Sequence, residues 1–326
     1  MFGIIYKAFI FVAISVVIYF GIALVSILVG RPGKPEPDQK GLDFSELHID
    51  YANSPELRTY QARDGARLAY RYYPADSDKA LVLLHGSGWH SRYLLPLADY
   101  IRTNNLARVY TPDLRGHGTR PERRGDVDYI GQYEDDLADF IDVIRKDQPG
   151  ARLIVGGHSS GGGLALRFAG SRYGGLADAF LLLSPYLHYN SPTMRPNSGG
   201  WAQPNIGRLI GLSMLNNIGI RSLNDLPVIG FNMPEAVRDG TETLSYTYRL
   251  NTAFAPDDYK KDLAAVKKPL LVVVGTHDDA FLADRFESEI TKYTQARVEL
   301  LEGVSHMGVV VGPEVRPVVK EWLDGL

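Results

Sequence analysis

The chain has no cysteine among its 326 residues. That excludes disulfides, thiolate metal sites and a cysteine nucleophile, and it leaves the redox compartment unread, because a chain without thiols tolerates either environment. There is no surplus of basic charge either. Its 35 Lys and Arg face 38 Asp and Glu, a formal net charge of -3, so nothing argues for a nucleic-acid partner. The glycine-rich stretch "LIVGGHSSGGGLAL" (153–166) lacks the G-x-x-x-x-G-K-[ST] pattern and has no lysine nearby, so it is a weak candidate for cradling phosphate. A dinucleotide-binding G-x-G-x-x-G reading fails on spacing and position, since that motif belongs at the first strand of its fold.

One long uncharged run is present. "AFIFVAISVVIYFGIALVSILV" (8–29) holds 22 residues without a charge and as a helix would reach roughly 33 Å, enough to cross a bilayer core. It is longer than the usual apolar core of a signal peptide and has no small-x-small cleavage site, so residues 1–30 read as an uncleaved single-pass membrane anchor, with membrane contact through 8–29. Lys7 lies before the run and Arg31, Lys34 and Lys40 after it; that contrast is too small to fix the side on which the rest of the chain lies. "RPGKPEPDQKG" (31–41) is proline-rich and charged, so residues 31–45 read as an extended spacer.

Beyond the spacer, "LRTYQARDGARLAYRYYPA" holds two strand-like runs around Asp64-Gly65, a hairpin turn signal. Apolar runs at 80–86, 107–114, 152–157, 179–185, 269–275 and 297–303 then alternate with helically spaced segments such as "YEDDLADFIDVIRK" and "EVRPVVKEWLDG". Near-continuous apolar runs suit parallel strands covered on both faces, and strand–helix alternation gives an α/β fold with a mostly parallel sheet. Residues 186–268 break the rhythm, holding no strong strand but several prolines and glycines and a short helical segment, "IGRLIGLSMLNNIG". They are expected to form a lid inserted between core segments 46–185 and 269–326.

Within "GGHSSGG" only one register fits G-x-S-x-G: Gly157-His158-Ser159-Ser160-Gly161. Ser159 is therefore the candidate nucleophile, on a tight strand-to-helix turn whose neighbours must be small. A serine needs a base to take its proton and a carboxylate to orient that base. His306, in "LEGVSHMGVV", and Asp278, in "VVVGTHDDAF", follow Ser159 in the order Ser, Asp, His expected of a serine elbow in an α/β sheet. Each lies just beyond the carboxyl end of an expected strand, where such sheets place ligands. Asp278 is preferred to Asp279, which is expected to cap a helix or face water. The backbone N–H groups of Ser87, in "HGSGWHSRY", and of Ser160 are the expected oxyanion donors. His85 and His117 are expected to order loops and His158 to be packed, whereas His90 has no clear side. His277 reads as a loop neighbour, and His48 and His188 carry no signal.

Together "DGARLAYRYYP", "LLHGSGWHSRY", "PDLRGHGTR", "GGHSSGG", "VVVGTHDDAF" and "GVSHMGVV" resemble the α/β-hydrolase superfamily, in its monoacylglycerol lipase, lysophospholipase and serine aminopeptidase-like branch. The resemblance covers residues 57–326. It implies an α/β-hydrolase fold with helices on both faces of the sheet, Ser159 as nucleophile, Asp278 as acid, His306 as base, Ser87 and Ser160 as oxyanion donors, and 186–268 as the lid. Three features depart from the pattern: the anchor, the lid sequence, and Thr119-Arg120 after "RGHG", where a serine is common. The implied activity is hydrolysis of carboxylic esters, with single-chain acyl lipids such as monoacylglycerols or lysophospholipids as substrate, through an acyl-enzyme on Ser159. No metal or organic cofactor is needed. Activity should rise with pH as His306 loses its proton. An amidase or aminopeptidase on the same triad is the alternative, with Glu235, Asp239 and Glu242 as candidate amine-binding acids; a halide-dependent peroxidase reaction and a non-catalytic binding protein of the same fold complete the set. The sequence does not fix oligomeric state.

Overall fold

A computed structural model describes residues 2–30, 41–47 and 49–326, the side chain of Asn197 excepted. The strands are β1 (Arg58–Gln61), β2 (Arg67–Tyr73), β3 (Lys79–Leu84), β4 (Arg108–Pro112), β5 (Arg152–His158), β6 (Ala179–Leu183), β7 (Ala202–Pro204), β8 (Pro227–Phe231), β9 (Ser245–Thr247), β10 (Leu270–His277) and β11 (Arg297–Ser305). The helices are α1 (Phe2–Val29), α2 (Leu95–Thr103), α3 (Gln132–Asp147), α4 (Ser160–Gly170), α5 (Ile206–Asn217), α6 (Tyr248–Ala253), α7 (Tyr259–Ala265), α8 (Phe286–Ile290), α9 (Gly308–Val311) and α10 (Val315–Asp324).

Eight strands form the main sheet in the order β1-β2-β4-β3-β5-β6-β10-β11. β1 and β2 make the expected hairpin, with Gly65 at φ 89 in the turn, a conformation open to glycine without a Cβ clash. β2 runs antiparallel to β4, and from β4 onward neighbouring strands are parallel. All six long apolar runs read from the sequence became strands. The continuous character of the central ones is explained by burial on both faces: β6 is buried at all five positions and β5 at six of seven. One face packs on α3 and α4 through Tyr133, Phe140, Leu164 and Phe168. The other packs on α2 and α10 through Leu97, Ile101, Val315 and Val319. Each such buried side chain is worth about 1.5–3 kcal/mol of transfer free energy.

The insert differs from expectation in one respect. It carries a small antiparallel sheet, β7-β8-β9. These strands are three to five residues long, too short to establish an alternating pattern, and β7 and β8 each contain a proline. The short helix read at 206–219 is present as α5, capped by the Asn205 side chain, which accepts from the Arg208 N–H at 3.0 Å.

The expected amino-terminal helix is present as α1. Its most apolar window has a mean hydropathy of 2.8. Most of its side chains are exposed, but its last turns pack on α5, burying Ala23 and Ile27 against Leu212 and Leu215. Of the expected spacer, residues 31–40 lie outside the described residues. Leu42 and Phe44, at its end, are each 7% exposed, packed into the main core cluster rather than extended into solvent.

Candidate active site

Ser159 stands between β5 and α4 at φ 55, ψ -121. A non-glycine residue in that region costs about 1–3 kcal/mol and must be held there by its surroundings. Three backbone bonds do so: its N–H donates to Leu183 O at 2.9 Å, and its carbonyl accepts from Gly163 N at 3.1 Å and Tyr186 N at 2.9 Å. The flanking glycines let strand and helix approach. A Cβ on Gly157 would lie 2.3 Å from the Gly161 carbonyl, and one on Gly161 would lie 2.4 Å from His85 O. Because the first α4 bond runs from Gly163 to Ser159, the Ser160 N–H belongs to the helix's first turn, whose donors have no intrahelical acceptor.

Asp278 and His306 follow β10 and β11, and they meet. The His306 Nδ1–H donates to Asp278 Oδ2 at 2.9 Å. The other oxygen, Oδ1, accepts from the N–H groups of Ala280 and Phe281, both at 2.8 Å. Burial opposes charge on Asp278, yet the His306 partner and these donors outweigh it and hold its carboxyl below the ordinary value. The same bond fixes the His306 tautomer, leaving Nε2 free to accept a proton. Ser159 and His306 line one small cavity together with Gly86 and Ser87. All five residues expected at the site therefore stand at the carboxyl end of the sheet. Asp279 does not cap a helix; it is partly exposed, and its Oδ2 accepts from the Asp43 N–H at 3.1 Å.

The loop carrying Ser87 approaches the elbow closely, since a Cβ on Gly86 would lie 3.1 Å from Ser159 Cβ. Three aromatic side chains pin it. Tyr93 Oη accepts from Gly86 N at 2.7 Å, Tyr246 Oη accepts from Gly88 N at 2.8 Å, and the Trp201 Nε1–H donates to Ser87 Oγ at 3.0 Å. Neutral histidines complete these chains. The Tyr246 hydroxyl meets His117 Nε2 at 2.7 Å, and the Tyr93 hydroxyl meets His158 Nδ1 at 2.9 Å. His158 Nε2–H in turn donates to the His306 carbonyl at 3.0 Å. Burial holds His117 and His158 well below the ordinary histidine value, and lowers His85 to about 4. His85 braces the loop as expected, linking Gly86 O and Leu114 N. His90 is buried against Thr241 and does not line the cavity; His277 is exposed. A larger cavity, about 370 Å³, lies beside Arg115 and His117 and is lined by none of Ser159, Asp278 and His306.

Residues 75–308 match the model of the serine aminopeptidase S33 family of hydrolases. The chain belongs to this family. It is a serine-type hydrolase of the α/β-hydrolase fold, in the branch that holds the monoglyceride lipases. Human monoglyceride lipase is 27% identical over 293 residues, covering 86% of this chain and 91% of that one. A soluble variant of the Saccharomyces cerevisiae monoglyceride lipase, solved with a substrate analogue, superposes with a TM-score of 0.64 at 19% identity, covering 86% of this chain and 97% of that one. The monoacylglycerol lipase of Paleococcus ferrophilus has a TM-score of 0.55 at 21% identity, covering 80% and 99%. Both structural likenesses speak to the fold.

Sequence reasoning did not find four of the hydrolase's residues at the site. Trp201 and Tyr246 reach it from the insert, Phe44 comes from the expected spacer, and Tyr93 closes the "HGSGWHSRY" stretch. Only Tyr93 carried a usable signal, by standing inside a motif already singled out.

Proposed function

We propose that the hydrolase cleaves carboxylic esters of single-chain acyl lipids, monoacylglycerols first, through an acyl-enzyme on Ser159. The observation that carries this reading is the joint one of a strained Ser159, a His306 whose Nε2 is left free by its bond to Asp278, and a cavity walled by apolar side chains. Ser159 Oγ attacks the ester carbonyl while His306 Nε2 takes its proton. The N–H groups of Ser87 and Ser160 receive the oxyanion, a contribution of roughly 2.7–4 kcal/mol per donor in comparable sites. His306 then protonates the departing alcohol and afterwards draws a proton from the water that releases the acid. Asp278 keeps the imidazole oriented and stabilises its cation.

Ester is favoured over peptide by the lining. Among the described residues around the Ser159 cavity none is Asp or Glu, so nothing there would hold a substrate amine. Of the three lid acids considered for that role, Glu242 accepts from Gly240 N, Asp239 lies 3.7 Å from Arg92, and Glu235 is exposed and does not line the cavity. The names of the relatives support a monoacylglycerol substrate. Membrane attachment through α1 is part of the same reading; its exposed apolar surface supports it, and the burial of Ala23 and Ile27 against the insert favours a helix that stays with the enzyme. The test is the rate of hydrolysis against acyl chain length, with Ser159→Ala as control. Rates that climb toward long-chain monoesters fit the proposal. Turnover confined to short acyl groups removes the lipid, and Ser159-dependent cleavage of amides but not esters overturns the reaction.

A further inference from the structure

The cavity beside Ser159 holds about 20 Å³, room for roughly one water molecule. Ligand pockets ordinarily measure about 300–1,000 Å³. As it stands, then, the cavity is far too small for an acyl chain, and some wall must move before one enters. The movable wall can be identified by how each one is held.

The lid helix α5 is firmly fixed. It lies antiparallel against the end of α1, with Tyr19 Oη donating to Met214 O at 2.6 Å at one end and Gly30 close to Asn205 and Arg208 at the other. The two helices touch backbone to backbone: a Cβ on Gly211 would come 2.5 Å from Ala23 O, and one on Gly207 would come 3.0 Å from Ser26 O. Trp201 is also secured, by its indole bond to Ser87 and by the bond from Asn232 N to its own carbonyl at 2.9 Å. To swing either away would break helix packing or the β7–β8 pairing.

Residues 41–47 are held differently. They cover the cavity with Leu42 and Phe44, and the Phe44 ring lies 5.5 Å from Trp201 and 6.1 Å from Trp89. Their internal bonds close local turns, Ser45 N to Asp43 Oδ1 and Leu47 N to Phe44 O. Among the described residues, one hydrogen bond ties the segment to the rest of the chain, from Asp43 N to Asp279 Oδ2, on the exposed side. Gly41, at φ 59, supplies a backbone that can pivot. The segment also lies outside the 75–308 stretch shared with the family.

We infer that residues 41–47 are the door of the acyl site, and that the Phe44 ring occupies, in the closed state, the place the substrate's acyl chain takes in the open one. The inference rests on the esterase reading of Ser159. Substrate enters by displacing Phe44 from Trp89 and Trp201, with Asp43 leaving Asp279, while α5 and Trp201 stay in place. The incoming chain replaces one apolar side chain with another against the same aromatic rings, so little apolar surface is exposed on opening. An aqueous short-chain ester has less surface with which to displace Phe44, which makes the door selective for long acyl chains.

Because the chain has no native cysteine, the door can be locked cleanly. The double variant Asp43→Cys/Asp279→Cys in the full chain is joined by a short bifunctional methanethiosulfonate that reductant removes. The joined protein should lose turnover of a long-chain monoester and regain it on reduction; an unchanged rate at complete cross-linking overturns the inference. Phe44→Ala provides an independent reading. A door open roughly 10% of the time penalises binding by that fraction, so its removal should raise kcat/KM by about tenfold. A kcat/KM that falls instead, more steeply for longer chains, makes Phe44 a fixed wall and contradicts the door. Labelling of the reduced protein by a small fluorophosphonate separates the two levels: if Ser159 is not modified, the esterase reading itself fails, whatever the door does.

Discussion

The elbow and the insert meet at the same loop and are built on opposite terms. At the elbow, position is set by backbone. Ser159 is fixed by three main-chain bonds, and Gly157 and Gly161 sit where no Cβ fits. In the insert, position is set by side chains reaching across long sequence separations: Tyr246 to Gly88 spans 158 residues and Trp201 to Ser87 spans 114. A backbone-built site has one arrangement. A side-chain-built roof hangs on single contacts between residues far apart in sequence, so one aromatic substitution in the insert reaches the Ser87 loop beneath it.

The sharpest way to break this contrast is at the serines. Ser159→Ala should lower kcat/KM by roughly 10⁴-fold or more, whereas Ser160→Ala keeps the N–H that matters and should leave ester hydrolysis nearly intact. Equal losses in two folded variants would mean that the register of the elbow is wrong.

Acid should loosen the elbow side, where His85, His117 and His158 are buried and neutral. Their folded-state values lie below the 6.5 of the free side chain, at about 4 for His85. The unfolded chain therefore binds more protons as pH falls. Stability is full above 6.5 and declines below it toward the folded values, by about 1.4 kcal/mol per pH unit for each histidine in that window. Denaturant unfolding at pH 7.5, 6 and 5 measures it. A flat profile would require these histidines to be protonated in the folded protein.

Glycine replacements compare the two regions directly. Gly161→Ala drives a Cβ to 2.4 Å from His85 O and 2.5 Å from Leu84 O, both backbone atoms, and should cost about 1–3 kcal/mol of stability. Gly240→Ala in the insert meets nothing within 4 Å and keeps only the strain of φ 88, about 1–2 kcal/mol, with activity retained. Loss of activity in the second but not the first would reverse the comparison. An effect of similar size belongs to Tyr246→Phe, which leaves the Gly88 N–H and His117 Nε2 without their shared hydroxyl. The cost should be about 1–3 kcal/mol, read as a lower kcat with the unfolding midpoint moved slightly; an unchanged kcat would show that the Ser87 loop does not depend on the insert.

The same division explains what could be read from sequence. The sheet was legible because six of its eight strands are local apolar runs and the other two flank the Asp64-Gly65 turn signal. The grouping of Ser159, Asp278 and His306 at one end of the sheet was legible because each follows such a run. The aromatic roof was not legible, because a tyrosine or tryptophan in an irregular insert looks the same whether it faces solvent or a loop 150 residues away. β7, β8 and β9 fell below the length at which alternation can be seen. Phe44 sits near a run of prolines and charges, whose composition indicated a solvated spacer and concealed one buried ring.

The most direct test of the central claim is to treat the folded, full chain with a fluorophosphonate and map the modified peptide by mass spectrometry. A single adduct on Ser159, absent from Ser159→Ala and reduced in His306→Ala, is the result predicted. Modification of Ser160 instead, or no adduct on a folded protein whose door at residues 41–47 is opened by Phe44→Ala, would contradict it.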